Sequence, residues 1–301
     1  MKKNKVIRSL VVSGGGCKGA WAGGLIQQMI EERGYDWDMY FGTSTGSLLI
    51  TLVPLHKMEK LKEAYTSVSN ENIFSVNPFN KKGKISIPNA IWRIIRGKTS
   101  LGESGGLEKL IKNMFSPSEY YDIRKLDKRV YPCATNYTTN KEEYVRNLDA
   151  TYDEYVKFTI ASTSVPLAMN LVDLKSAQYL DGGVLMHVPI QKAIDEGADE
   201  IDVIVLRPEK VDNTPWYPKN ILDVLMRTIN IMQDQISQSN VIVGQLIAKE
   251  KDVKIRIRYT PYKLTDNSLI FNKEQMLKWW ELGYLYGRQD NMSKKITVKK
   301  S

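Results

Sequence analysis

Val6-Ile-Arg-Ser-Leu-Val-Val-Ser-Gly-Gly-Gly-Cys-Lys-Gly19 and, after one helical stretch, Trp37-Asp-Met-Tyr-Phe-Gly-Thr-Ser-Thr-Gly46 decide the fold of this chain. Val6–Val12 is short, apolar and stopped by three glycines, which reads as a buried strand running into a turn. From Gly19 to Arg33 the apolar residues Leu25, Ile26, Met29 and Ile30 recur at helical spacing, and Gly34 supplies the stop. Trp37–Phe41 is a second strand, followed by a glycine turn and a helix start over Ser47–Val53. Strand, glycine turn, helix, repeated, predicts an α/β fold with a largely parallel central sheet.

The same reading extends outward. Arg129–Asn136 and Glu142–Arg146 form a strand pair, Tyr152–Ile160 a helix, Gln178–Leu180 a short extended run, Ile190–Glu196 a helix and Ile201–Leu206 a β-branched strand. Pro208, Pro215 and Pro218 mark a connection. A helix from about Lys219 to Lys249 follows, with Leu222, Leu225, Ile229, Met232, Ile236, Val243 and Leu246 stepping by three and four and only Ser239 out of pattern. That stripe predicts packing along the core; a coiled-coil seam joining a homo-oligomer is the alternative. Val253–Tyr259 reads as a half-buried strand and Glu274–Tyr286 as a closing helix with Trp279 and Trp280. The chain therefore divides into a core over residues 1–207, with a basic insert at 72–102, and a helical extension over 208–301 packed on it in the same domain.

Its 301 residues, 42% hydrophobic and 26% charged, exclude a disordered tail, a collagen-like repeat and a disulfide-stapled miniprotein. Two cysteines, Cys17 and Cys133, provide no disulfide framework and fit a reducing compartment. The apolar run near the start is broken by Arg8 and ends at Ser13, too short for a signal peptide, and no run approaches a membrane span. A cytoplasmic protein is the expectation. The net charge of +9 is regional: residues 1–30, 72–102 and 291–301 carry basic residues and no acid, and the remainder nets negative.

Chemistry concentrates in three glycine motifs at strand ends, where open α/β sheets carry their sites. Gly42-x-Ser44-x-Gly46 between strand and helix is a nucleophile-elbow pattern, which throws the serine hydroxyl out at a helix head. Gly14-Gly15-Gly16-Cys17-Lys18-Gly19 offers backbone N–H groups at a helix start, as an anion-stabilising pocket needs. The same residues also fit a dinucleotide-binding loop, a reading that leaves the elbow without a role. The base is less evident. Of the two histidines, His56 lies beyond Pro54 on the helix after Ser44 and reads as structural; His187 stands close behind Asp181-Gly182-Gly183. That acid at a glycine turn is the other candidate.

In this order and spacing the chain resembles the patatin-like phospholipase family. Ser13 to Trp21 matches the glycine-rich oxyanion motif, Gly42 to Gly46 the nucleophile motif, Ala161-Ser162-Thr163-Ser164-Val165-Pro166 an Ala-Ser-x-x-x-Pro segment, and Asp181-Gly182-Gly183 the catalytic-acid motif. The resemblance spans roughly residues 5–207. It implies a three-layer α/β/α fold and a Ser44–Asp181 dyad, with Gly15, Gly16, Cys17 and Lys18 holding the oxyanion and no metal or cofactor. His187, where the family often carries asparagine, reads as a structural substitution, with tuning of Asp181 as the alternative. Cys17 is expected to be sensitive to alkylation but is a poor nucleophile.

The basic insert suits a lipid enzyme. Lys81, Lys82 and Lys84 precede a short helix bracketed by Pro88 and Gly97, in which Ile91, Ile94 and Ile95 share a face and Trp92, Arg93 and Arg96 surround it. A basic amphipathic piece with an interfacial tryptophan is what docking on an anionic phospholipid membrane requires. Nucleic acid is not the expected partner, because aromatics are not interleaved with the basic runs. The expected function is a peripherally membrane-associated lipid acyl hydrolase of phospholipase A type. A lipase or esterase on neutral esters, and a gated or silent lipid-binding effector module, are the alternatives.

Overall fold

A computed structural model describes residues 5–80, 83–210, 215, 217–289 and 294–296. Nine strands build one sheet: β1 (Arg8–Val12), β2 (Met39–Thr43), β3 (Arg129–Asn136), β4 (Lys141–Tyr144), β5 (Val172–Leu174), β6 (Ala177–Asp181), β7 (Glu200–Val205), β8 (Lys254–Tyr259) and β9 (Lys294–Ile296). Their order is β5-β6-β3-β2-β1-β7-β8-β9, with β4 pairing on β3. The five central strands β3, β2, β1, β7 and β8 are parallel, and antiparallel pairings close both margins.

Alternation along the strands creates the layers, because successive side chains point to opposite faces. Leu10, Val12, Tyr40 and Ile204 pack on one side with the Gly19–Glu31 and Lys273–Arg288 helices. Val11, Met39, Phe41, Val203 and Val205 pack on the other with the Ile190–Asp195 and Ile221–Glu250 helices. The fold is a three-layer α/β/α sandwich around a mostly parallel sheet. At β1 the chain order reverses, with β2 on one side and β7 on the other, so the loops after these strands meet at one topological switch point.

Two expectations are corrected. The segment after residue 207 is more than a helical extension: β8 continues the central sheet in parallel with β7, and β9 edges it. The long helix does not lay the anticipated stripe on the core. Its buried face is Ser237, Val241, Gly244 and Ala248, whereas Leu225, Met232, Val243 and Leu246 are exposed. Small residues won the buried face because the helix runs close over Ile190, whose side chain leaves no room at Gly244.

The Gly19–Glu31 and Lys273–Arg288 helices approach until backbone meets backbone. A Cβ added to Gly24 would lie 1.8 Å from the Trp280 carbonyl oxygen, and one on Gly283 would lie 2.0 Å from that of Trp21. Neither backbone can give way alone. Gly24→Ala is therefore expected to destabilise the fold by about 1–3 kcal/mol, as overpacking does, in spite of the better helix propensity of alanine; a denaturant titration of both forms measures it.

Candidate active site

Ser44 leaves β2 with φ 54° and ψ −125°, a conformation costly for a residue with a side chain. The surroundings enforce it. A Cβ on Gly42 would stand 2.4 Å from the Gly46 carbonyl carbon, and one on Gly46 would stand 2.3 Å from the Val12 carbonyl oxygen, so only glycines allow the turn to close against β1. Ser162 locks it from the other side. Its Oγ accepts the Ser44 N–H at 3.0 Å, exchanges a hydrogen bond with Ser47 Oγ at 2.7 Å and donates to the Cys133 carbonyl. Ser44 heads the short Thr45–Leu49 helix and is largely buried.

Asp181 ends β6. The register pairs Thr43 with Cys133 and Ala134 with Asp181, which carries the acid across β3 to the serine. Its N–H donates to the Ser164 carbonyl at 2.9 Å, and its carboxylate accepts the Gly183 N–H at 2.7 Å. The Ser44 hydroxyl lies against the same carboxylate and donates toward it. Burial dominates over both bonds and pushes the acid up to about 6. Ser162 and Ser164, which orient the two motifs, carry no sequence signal beyond the Ala161–Pro166 segment, because their partners lie far away in sequence.

The glycine loop offers fewer donors than expected. The Cys17 N–H donates to the Ser268 carbonyl at 2.9 Å and the Lys18 N–H to the Gly15 carbonyl at 3.2 Å, so neither is free for an oxyanion. The cause is the single turn of 3-10 helix over Gly16–Lys18, which turns these amides inward. Among the described residues, the N–H groups of Gly15 and Gly16 keep no acceptor, and Gly14, Gly15, Gly16 and Ser44 line one cavity. Cys17 is fully buried and its thiol is pushed up to about 12, which removes the expected sensitivity to alkylation.

His187 packs beside this loop. A Cβ on Gly14 would lie 3.0 Å from its Nε2 and 3.3 Å from Ser44 Cβ. Burial, reinforced by Lys18 and Arg207, pushes its pKa to about 3, so the ring is neutral. Its backbone N–H donates to Asn240 Oδ1 at 2.8 Å and its carbonyl accepts the Gly14 N–H at 3.2 Å. No hydrogen bond joins it to Asp181 among the described residues. His56 is not on the Ser44 helix: it sits at φ 55° after a second turn, exposed, with Asp36 3.3 Å away.

Two cavities converge on Ser44. One, of about 390 Å³, is apolar, with Leu48, Val68, Ile73, Ile111, Met169 and Phe271 among its walls. The other, of about 460 Å³, is the more polar of the two and holds Asp181, His187, Lys18 and Arg207. Lys84 and Ile85 from the basic insert and Leu222, Met226 and Ile229 from the long helix line this second cavity. Lys84 is exposed, and Trp92 and Arg96 stand together at the surface, the guanidinium carbon 5.4 Å from the ring centre. Arg93 departs from expectation. It is buried, donating through Nε to the Ser100 carbonyl at 2.5 Å and pairing with Glu103 at 3.0 Å, and so holds the insert together from inside. Lys81 and Lys82 lie outside the described residues. Among those described, no three His, Cys, Asp or Glu side chains gather to hold a metal, and no helix is long and apolar enough to cross a membrane.

A three-layer α/β/α sheet with a serine elbow at its switch point defines the class. The model of the patatin-like phospholipase family matches residues 10–194, more than half of the chain, and the protein belongs to that family. The uncharacterised protein YjjU of Escherichia coli strain K12 is 23% identical over 217 residues, covering 70% of this chain and 55% of that protein, so the chain spans about half the length of this curated relative. The crystal structure of VipD from Legionella pneumophila aligns with a TM-score of 0.45 at 16% identity, covering 97% of this chain and 68% of that one.

Asp181 carries a stability consequence. Its pKa is raised by burial to about 6, above the unfolded value, so the folded state holds its proton longer and loses stability as pH rises through about 4 to 6. Asp181→Asn removes that cost while its amide oxygen still accepts the Gly183 N–H. It is expected to raise unfolding free energy by about 1–3 kcal/mol near neutral pH, the gain vanishing toward pH ~4; denaturant titrations at several pH values measure it.

Proposed function

We propose that this protein is a lipid acyl hydrolase of phospholipase A type working through a Ser44–Asp181 dyad. The observation that supports it most is the meeting, at one strained serine, of a buried carboxyl, two unpaired amides and an apolar cavity. Ser44 Oγ attacks the ester carbonyl while its proton passes to Asp181. The tetrahedral oxyanion is held by the Gly15 and Gly16 N–H groups. As the C–O bond breaks, Asp181 returns the proton to the leaving alkoxide, giving a free alcohol and an acyl-serine. Water then attacks the acyl-serine, giving its proton to Asp181, which passes it back to Ser44 as the fatty acid leaves.

A carboxylate at its ordinary pKa is a weak base. Burial that raises Asp181 to about 6 makes it a better one while leaving it ionised at neutral pH. His187 has no part in the proton transfers and positions the glycine loop. Cys17 and Lys18 contribute fold contacts to the oxyanion loop.

Exposed apolar residues on both elements that line the polar cavity support docking at an anionic phospholipid surface. The Ile87–Ile95 helix exposes Ile91, Trp92, Ile94 and Ile95, the last at 78%, and the long helix exposes Ile221 at 81% with Val224 and Leu225. Arg96, over the Trp92 ring, adds positive charge beside the first patch, and Lys84 adds it at the cavity.

Ser44→Ala and Asp181→Ala are expected to lower hydrolysis by at least ~10³-fold in product analysis over phospholipids and neutral glycerides, whereas His187→Asn and His56→Ala retain most of it. Loss of activity in a folded His187 variant would replace the dyad by a triad. No Ser44-dependent product on any lipid would leave the lipid-binding module as the reading. The pH profile of kcat/KM should rise through an acidic limb near 6, where Asp181 loses its proton. In flotation assays, Trp92→Ser with Ile95→Ser should abolish binding to vesicles containing phosphatidylglycerol. A protein that dimerises in solution and ignores vesicles would assign the exposed stripe of the long helix to a second copy.

A further inference from the structure

We propose that the polar cavity beside Ser44 is a phosphate subsite built around Arg207, which selects esters carrying a phosphate on the leaving-group side. The proposal rests on the hydrolase reading above and narrows its substrate.

Arg207 follows β7 and is only 9% exposed. Its Nε donates to Ser237 Oγ at 3.1 Å, and no carboxylate pairs with it among the described residues. A guanidinium cannot shed its charge, and a buried cation with no counter-ion is costly. Lys18 lines the same cavity half-buried, and no hydrogen bond or ion pair holds its ammonium among the described residues. Both cations line this cavity together with His187 and Ser44, and His187 lies against Gly14. Thr260 lines the same cavity, and its buried hydroxyl has no partner among the described residues.

The acids of the cavity do not cancel this charge. Asp266 pairs with Lys263 at 2.5 Å, and Lys84 and Lys219, which also line the cavity, balance the charges of Asp223 and Asp234. Asp234 is exposed and attracts Lys18 without closing an ion pair. Asp181 belongs to the dyad. Burial lowers the Lys18 pKa, so Arg207 is the permanent cation left without a counter-ion among the described residues, and a planar guanidinium matches two oxygens of one phosphate. With an acyl chain in the apolar cavity, the alcohol portion of the ester falls in the cationic one. A phosphoglycerol group there supplies the missing counter-ion, whereas the neutral glycerol of a triglyceride leaves Arg207 uncompensated.

The test uses Ser44→Ala protein, a monomeric short-chain phosphatidylglycerol and the matching diacylglycerol, with binding followed by tryptophan fluorescence. The phosphate-bearing lipid is expected to bind at least about tenfold tighter, the worth of one charge-assisted bond. Arg207→Gln should erase the difference and Arg207→Lys restore part of it. In Ser44-containing protein, Arg207→Gln should lower the ratio of kcat/KM for the phospholipid over the neutral ester by a similar factor. Equal affinities for the two lipids overturn the subsite. So does an Arg207→Gln protein that melts lower yet keeps its selectivity, because Arg207 is then only structural. A binding difference without turnover of any lipid overturns the hydrolase reading and leaves the phosphate site standing. Inorganic phosphate should compete only in the millimolar range; competition as strong as that of the lipid would assign the site to free phosphate and overturn the lipid proposal.

Discussion

The close approach of the Gly42–Gly46 turn to β1 is the constraint on which the rest of the site depends. Because Gly46 sits under the Val12 carbonyl with no space for a Cβ, the chain must reverse within a few residues and Ser44 must take a positive φ. A strained residue persists only where its neighbours over-determine it. Here Val12 presses from β1 and Ser162 holds the amide from behind. The strain is local, and the sheet resists it.

Burial then divides the polar groups by what each can do. Asp181 is raised enough to serve as a base and stays ionised near neutrality, while His187, a few residues on, is driven neutral. The difference follows from charge sign, since desolvation raises an acid and lowers a base, and the nearby cations push the imidazole further down. The acid accepts bonds from Ser44 and Gly183, whereas the ring nitrogen Nδ1 has no partner among the described residues. Two titratable groups in one cavity thus differ in charge near neutral pH.

The C-terminal third lines the second cavity. Its long helix reaches from the core, where Ser237 and Gly244 are buried, to the cavity mouth, where Ile221 and Leu225 face solvent. The heptad-like spacing of its apolar residues was easy to see and pointed to the wrong face. Spacing reports which residues share a side of a helix, not what that side meets. Gly244 lies against Ile190, a contact between elements far apart in sequence, and that contact fixed the rotation of the helix.

Strand–glycine–helix alternation and the three motifs determined the parallel core, the elbow serine and the acid, because each depends on backbone freedom and side-chain period within a few residues. Tertiary structure alone decided which amides of the glycine loop remain free, since Ser268 takes that of Cys17 from far along the chain. It also decided that Arg93 points inward and that Arg207 stands in the cavity with no counter-ion among the described residues. Hydrogen-bond partners and desolvation are properties of neighbours in space, and a string of residues specifies them only through the fold.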